Sequence, residues 1–218
     1  MSGAATLAPA LGGAVGAGLG GVLGYLGARL SVRWLPQPAP PWAGWALVGV
    51  TGLAVALLGL THPLTPYFWH QLLFVAILLV AAFVDLQDRI IPNELVLFGL
   101  VAWLLVMLLA PYGDKSWLSA LGGGAAAFAF FYLLAVLVPG GMGMGDVKLA
   151  LVMGLFLGLK WVAMALFFAF VLGGLVAGVL LATGKVGRKG HLPFGPFLAL
   201  GGLVTLLWGS QIWAWYAG

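Results

Sequence analysis

The sequence contains no cysteine and very little charge. Without cysteine there is no disulfide framework, no Cys-ligated zinc site and no thiol nucleophile. Only 6% of the 218 residues are charged and 63% are hydrophobic. A water-soluble domain of this size would not cover so much apolar surface, so the composition predicts a polytopic membrane protein. The net charge of +4 does not indicate nucleic-acid binding, because basic residues at helix ends are what membrane orientation requires.

Long apolar runs, separated by short polar segments, divide the chain. The runs are continuous rather than alternating, which favours helices over a closed barrel. Each spanning helix needs about 20 residues. We therefore predict an all-α fold with about eight transmembrane helices, in a single integral-membrane domain over residues 1–218. The predicted helices cover about 7–30, 42–60, 67–84, 92–110, 117–138, 146–158, 161–182 and 196–215.

The first apolar run carries a stripe of glycines with a spacing of four. This spacing places them on one face of a helix, where a neighbouring helix can pack closely. We therefore expect a packing role for the stripe, which consists of Gly12, Gly16, Gly20 and Gly24.

The distribution of basic residues predicts the orientation. With the N-terminus outside, the inner side would hold Arg29, Arg33, Arg89, Lys148, Lys185, Arg188 and Lys189. The outer side would hold Lys115 and Lys160. This distribution fits the positive-inside rule and predicts a multi-pass protein of the inner (plasma) membrane with both termini outside. Asp85 and Asp146 then fall on the same, cytoplasmic, side.

Asp85 and Asp146 are carboxylates placed next to long apolar runs. Asp85 follows the third predicted helix, and Asp146 follows the alternating glycines Gly143 and Gly145. An acid beside hydrocarbon is costly and suggests a function. Two such carboxylates can share a proton, so that one activates water while the other donates to a carbonyl oxygen. The simpler interpretations are a first-turn helix acid for Asp146 and a solvated loop charge for Asp85, with Asp88 as a rival for its role.

Three motifs carry a resemblance to a known family. Residues 143–148 (GMGDVK) resemble the GxGD motif of intramembrane-type aspartyl proteases. Asp85 followed by residues 91–93 (IPN) resembles the first-aspartate motif of the prepilin peptidases, the type IV prepilin leader peptidases within that group. Residues 192–201 (LPFGPFLALG) resemble the late segment of the same family. The resemblance covers a core of about 67–201.

The resemblance implies an aspartic endopeptidase with Asp85 and Asp146 as the catalytic pair. It would remove the short, positively charged leader from type IV prepilin or pseudopilin precursors at the cytoplasmic face. Membrane lipid would be its other partner, with no nucleic acid, cofactor or metal, and the oligomeric state is left open. Supporting or substrate-contacting positions would be Gly143, Gly145, Lys148, Pro92, Asn93, Pro193, Phe194, Gly195 and Pro196.

Two of these supporting elements have alternative interpretations. Lys148 would pair with Asp146 or meet phospholipid head groups. The segment from Pro193 to Pro196 would be either a stiff helix entry or a wall of the active site. The three histidines do not cluster by spacing, so we expect no metal site from them.

The chain departs from many family members between its first two helices. Those members carry a cytoplasmic domain there, with CxxC motifs that hold zinc, and they N-methylate the product using S-adenosylmethionine. Here residues 31–41 form only a short cytoplasmic loop, and there is no cysteine. The sequence therefore predicts a peptidase without N-methyltransferase activity, or a protein whose methylation is carried out by another chain.

Two other functions remain as alternatives. Membrane-embedded acids also mark proton pathways, so the same aspartates would suit a proton-coupled carrier. Both acids fall on one side, however, and no charge lies at the membrane midplane to complete a path. The third hypothesis is a related GxGD protease that acts on a different precursor, of the signal-peptide or archaellin type.

Overall fold

The structure is a computed structural model, and it describes residues 3–37, 39–62, 65–109, 116–138, 141–184 and 192–218. These residues form eight helices and no strand, which confirms the predicted all-α fold. The helices are α1 (Gly3–Ser31), α2 (Pro41–Thr61), α3 (Pro66–Asp88), α4 (Asn93–Leu109), α5 (Trp117–Leu137), α6 (Met144–Leu157), α7 (Leu159–Ala182) and α8 (Gly195–Ala217).

Six of these helices, α1, α2, α3, α5, α7 and α8, are long and apolar enough to cross a membrane. The chain is therefore a multi-pass membrane protein. The apolar helix α4 has 17 residues, and α6 has only 14. At a rise of 1.5 Å per residue, α6 is about 21 Å long, which is less than the roughly 30 Å of hydrocarbon in a bilayer. The six long helices thus satisfy the length requirement by themselves, whereas α6 is shorter than a spanning helix.

The glycine stripe of α1 packs against α2. A Cβ atom at Gly16 would collide with the carbonyl oxygen of Val55, and one at Gly12 would collide with that of Gly59. The two helix backbones therefore approach so closely that only glycine fits. This confirms the packing role expected for the stripe, because small residues let membrane helices approach each other.

Helix α3 lies at the centre of the fold and contacts α1, α2, α4, α6 and α8. It is the most enclosed of the six long helices, with 78% of its apolar window buried. Towards its N-terminal end, His70 and Phe74 stack on Phe156 of α6, with ring centroids 4.8 and 5.2 Å apart. The helix that carries Asp85 is therefore held by neighbours on several sides.

The end of α3 differs from the prediction. The helix continues to Asp88, so Asp85 lies in its last turn rather than after it. A charge alone does not end a helix, and Leu86 and Gln87 are both good helix formers. Arg89 ends the helix by adopting a left-handed conformation with φ 57°, and its N–H donates to the carbonyl oxygen of Asp85 at 2.9 Å.

The start of α4 also differs by one residue from the prediction. The first helical residue is Asn93, and Pro92 immediately precedes it. The carbonyl oxygen of Pro92 accepts a hydrogen bond from the N–H of Val96 at 3.2 Å. Proline suits this position because it has no N–H of its own to satisfy. Only residues 89–92 therefore separate α3 from α4.

Candidate active site

Asp85 is buried at the end of α3, with 5% of its surface exposed. Its Oδ2 atom accepts a hydrogen bond from the backbone N–H of Gly195 at 2.8 Å. Gly195 is the first residue of α8, and a Cβ atom there would lie only 2.8 Å from the same oxygen. Glycine is therefore needed at this position for the backbone to reach the carboxylate.

Asp146 lies in the first turn of α6, which begins after Gly143. A Cβ atom at Gly143 would lie 3.2 Å from Oδ2 of Asp146, so this carboxylate oxygen lies against the glycine. The other oxygen, Oδ1, is buried and accepts no hydrogen bond from the residues that the structure describes. Burial and, after it, the charge of Asp85 raise the pKa of Asp146. The fold thus brings together two acids that are far apart in the sequence.

The segment that follows α3 packs against the first turn of α6, immediately before Asp146. A Cβ atom at Gly145 would lie 2.9 Å from the Cβ atom of Ile91. Three residues beyond Gly145, the Nζ atom of Lys148 donates a hydrogen bond to Oδ1 of Asn93 at 2.7 Å. Residues 91–93 and 145–148 are therefore in contact on both sides of Asp146.

The partner of Lys148 was not among those considered from the sequence. Asp146 and the lipid head groups were the two expected partners, and the structure shows Asn93 instead. Helix geometry could have excluded Asp146, since residues two apart on a helix point to nearly opposite sides. No local signal in the sequence identifies Asn93, because the contact joins two different helices.

The late motif is anchored by an aromatic cluster. Phe194 lies 5.1 Å from Phe170 of α7 and 5.9 Å from Phe131 of α5, measured between ring centroids. Pro193 lies in the half-buried connection before α8, and Pro196 lies in the first turn of that helix. The segment is thus both a non-helical entry to α8 and a neighbour of Asp85. The aromatic contacts were missed from the sequence, where Phe194 was only part of a motif.

The other acids are placed less centrally. Asp88 is the last residue of α3 and is partly exposed, in contrast to the buried Asp85. Glu94 is exposed in the first turn of α4, where an acid interacts favourably with the helix dipole. Several residues used in the sequence analysis lie outside the described residues, namely Asp114, Lys115, Lys185, Arg188, Lys189 and His191.

Within the described ranges, no group of three His, Cys, Asp or Glu side chains could hold a metal ion. His62 follows α2, and His70 is buried in α3 against Phe156. The described residues offer the chemistry of two carboxylates, Asp85 and Asp146. Residues 91–93, the start of α6 and the start of α8 surround them. Such a pair can share a proton and can act on a water molecule as acid and base.

Comparison with known proteins points to one family. The profile of the type IV leader peptidase family matches residues 72–178, which include both aspartates. The chain is 32% identical to a prepilin leader peptidase/N-methyltransferase of Bacillus subtilis (strain 168), over 77% of this chain and 66% of that protein. Proteins of the same name from Legionella pneumophila and Burkholderia pseudomallei (strain K96243) are also 32% identical. These two alignments cover 69% and 88% of this chain, and 56% and 59% of the relatives.

The chain therefore spans between 56% and 66% of the length of these three relatives. No solved structure matches it.

Proposed function

The chain belongs to the type IV leader peptidase family, and we propose that it is an aspartic endopeptidase that removes the leader peptide from type IV prepilin-like precursors. One observation carries the proposal. The start of α6, which carries Asp146, packs against residues 91–93, which follow the helix end that carries the buried Asp85, although 60 residues lie between the two acids in the sequence. In a hydrophobic protein, two acids are rarely placed together for structural reasons alone. Acid–base catalysis by a pair of carboxylates requires that placement.

The proposed mechanism uses the two carboxylates as one unit. Two acids at close range cannot both ionise, so the pair holds one proton. The ionised carboxylate takes a proton from water, which attacks the scissile carbonyl carbon, while the protonated partner donates to the carbonyl oxygen. Collapse of the tetrahedral intermediate breaks the C–N bond, and a proton passes to the leaving amine. Such a pair titrates with apparent pKa values that belong to the dyad.

The surroundings of each carboxylate suit a part of this mechanism. The N–H of Gly195 fixes Oδ2 of Asp85, which orients that carboxylate. Oδ1 of Asp146 accepts no hydrogen bond from the described residues, so it can take part in holding the proton that the pair shares. We propose Gly143, Gly145, Pro92, Asn93, Lys148, Pro193, Phe194, Gly195 and Pro196 as supporting positions, with neither metal nor cofactor in the reaction.

We also propose that the end of the molecule with the two aspartates faces the cytoplasm, in the inner membrane of the cell. Arg29 near the end of α1, Arg89 after α3 and Lys148 near the start of α6 support this orientation by the positive-inside rule. Lys160, which the prediction places on the outer side, is at the start of α7. It lies over the ring of Trp213 near the end of α8. A precursor would enter laterally from the bilayer as a helix, with its leader beside the aspartates.

The absence of a long connection between α1 and α2 restricts the proposed activity. Helix α1 ends at Ser31 and α2 begins at Pro41, so only a short loop connects them. The names of the relatives include an N-methyltransferase as well as a peptidase. We propose that residues 1–218 form one peptidase domain, with the loop at 31–41 in place of a zinc domain. Methylation of the product would be absent or carried out by another chain.

The test is co-expression of a type IV prepilin with the wild-type chain or with one of three variants, followed by gel analysis of processing. We expect cleavage by the wild type and loss by a factor of about 10³ or more for Asp85→Asn and Asp146→Asn, because each substitution removes half of the acid–base pair. Asp88→Asn is the matched control and should retain substantial activity. Full processing by either dyad variant contradicts the mechanism.

Two further outcomes refine the proposal. Loss of activity in Asp88→Asn together with retention in Asp85→Asn would mean that Asp88 is the partner of Asp146. A panel of precursors that includes archaellin-type and signal-peptide-type substrates identifies the substrate class, since the prepilin should be cleaved fastest.

A further inference from the structure

We propose that the hydrogen bond between Lys148 and Asn93, here called the Asn93–Lys148 bridge, holds Asp146 beside Asp85. The two residues would be positioning residues that do not take part in the chemistry themselves. The proposal rests on the proposed function, because it explains how the two acids of the dyad are kept at a working distance.

The bridge closes a short ring of contacts around the site. On one side, Asp85 is joined to Asn93 through the end of α3 and the connection at 89–92. On the other side, Lys148 lies two residues beyond Asp146 in α6. The distance from Nζ of Lys148 to Oδ1 of Asn93 is 2.7 Å, a short hydrogen bond with a charged donor. The contact between Gly145 and Ile91 lies within the same ring.

The aromatic ring contacts between α6 and α3 lie far from the aspartates. Helix α6 packs mainly on α5, and its aromatic contact with α3 is made by Phe156, which stacks on His70 and Phe74. Phe156 lies ten residues beyond Asp146, or about 15 Å along the helix. At the end with the aspartates, the bridge adds a polar contact to the packing of Gly145 against Ile91.

The geometry favours positioning over a direct action of Lys148 on Asp146. Side chains two positions apart on a helix point to nearly opposite sides. The Nζ atom is engaged with the amide oxygen of Asn93 instead. Asn93 is exposed and Lys148 is half-buried, so substitutions at these positions leave no hole in the core.

The experiment is a double-mutant cycle with purified protein and a prepilin substrate. Lys148→Met keeps the aliphatic stem but removes the donor, and Asn93→Ala removes the acceptor. We expect each variant to lose about tenfold in kcat with KM within about threefold of the wild type, because a misplaced dyad slows the chemical step more than binding. The double variant should be no slower than either single variant.

Two more variants separate the bridge from other roles of its residues. Asn93→Asp provides a carboxylate that accepts the same hydrogen bond, so its kcat should remain within about threefold of the wild type. Lys160→Met is the matched control, since it removes a lysine that lies over Trp161 and Trp213 at the start of α7. Its kcat should not change.

The proposal is overturned if Lys148→Met is slow while Asn93→Ala is as fast as the wild type, or if the two losses multiply in the double variant. It is also overturned if the variants differ from the wild type only in the amount of folded protein. If the wild type cleaves no precursor, the proposed function fails. The bridge is then tested by the thermal stability of the wild type, Lys148→Met, Asn93→Ala and the double variant. Non-additive shifts in Tm support the bridge, and additive shifts refute it.

Discussion

The interface between α1 and α2 and the site around Asp85 are both built on glycine. In the interface, a Cβ atom at Gly12 or Gly16 would collide with a carbonyl group of the facing helix. In the site, a Cβ atom at Gly195 or Gly143 would meet an oxygen of a carboxylate. In the first region glycine brings two backbones together, and in the second it brings backbone to a charged side chain.

An added methyl group would therefore have a different consequence in the α1–α2 interface than at the site around Asp85. Between α1 and α2, an added methyl group separates two helices that carry none of the proposed catalytic residues, so stability should fall. At the site, the same methyl group displaces a carboxylate whose position decides the reaction, so activity should fall first. The following predictions test this division, from the largest expected effect to the smallest.

Gly195→Ala should reduce cleavage about 100-fold, because a displacement of the order of 1 Å in a catalytic group has effects of this size. The added Cβ atom would lie 2.8 Å from Oδ2 of Asp85, so the carboxylate must move. The measurement is kcat/KM on a prepilin, together with Tm in detergent. A loss of Tm with unchanged kcat/KM would assign Gly195 to packing, like the glycines of α1.

Gly16→Ala should lower the free energy of unfolding by about 1–3 kcal/mol, the usual cost of overpacking. The new methyl group would collide with the carbonyl oxygen of Val55, which belongs to the backbone and cannot rotate away. Thermal unfolding in detergent measures the loss, and kcat per folded molecule should equal that of the wild type. A fall in kcat at equal folded fraction would connect this interface to the site.

Gly145→Ala should reduce kcat about tenfold, since a Cβ atom there would lie 2.9 Å from the Cβ atom of Ile91 and would push residues 91–93 away from the start of α6. The effect should be smaller than for Gly195→Ala, because the methyl group meets Ile91 rather than the carboxylate of Asp85. Initial rates and Tm on the same preparation distinguish the two regions. Equal loss of rate and stability would return this glycine to a packing role.

Gly178→Ala should have the smallest effect and serves as the control for the other three. A Cβ atom at this position of α7 meets nothing within 4 Å. Alanine is the better helix former by about 0.5–1 kcal/mol, so Tm should rise slightly and kcat should not change. A destabilised Gly178→Ala variant would show that glycine substitutions in these helices are costly for reasons other than contact.

The sequence predicted the helices well because long, continuous apolar runs favour helices over a closed barrel in a membrane. It predicted the end of α3 less well, since Asp85 was expected to follow the helix and instead lies in its last turn. A helix ends where its backbone hydrogen bonds end, and Arg89, with φ 57°, marks that point. The partner of Lys148 was missed for a related reason, because Asn93 belongs to another helix.

Composition and motifs alone determined that this chain is an all-α membrane protein with two acids beside apolar runs. Only the tertiary structure decided that Gly195 donates to Asp85, that Gly145 packs against Ile91, and that Asn93 accepts from Lys148. The physical reason is that these helices are apolar on nearly all sides, so hydrophobicity does not specify which face meets which neighbour. Rotation and depth are set by packing between helices, and that packing joins residues that are far apart in the sequence.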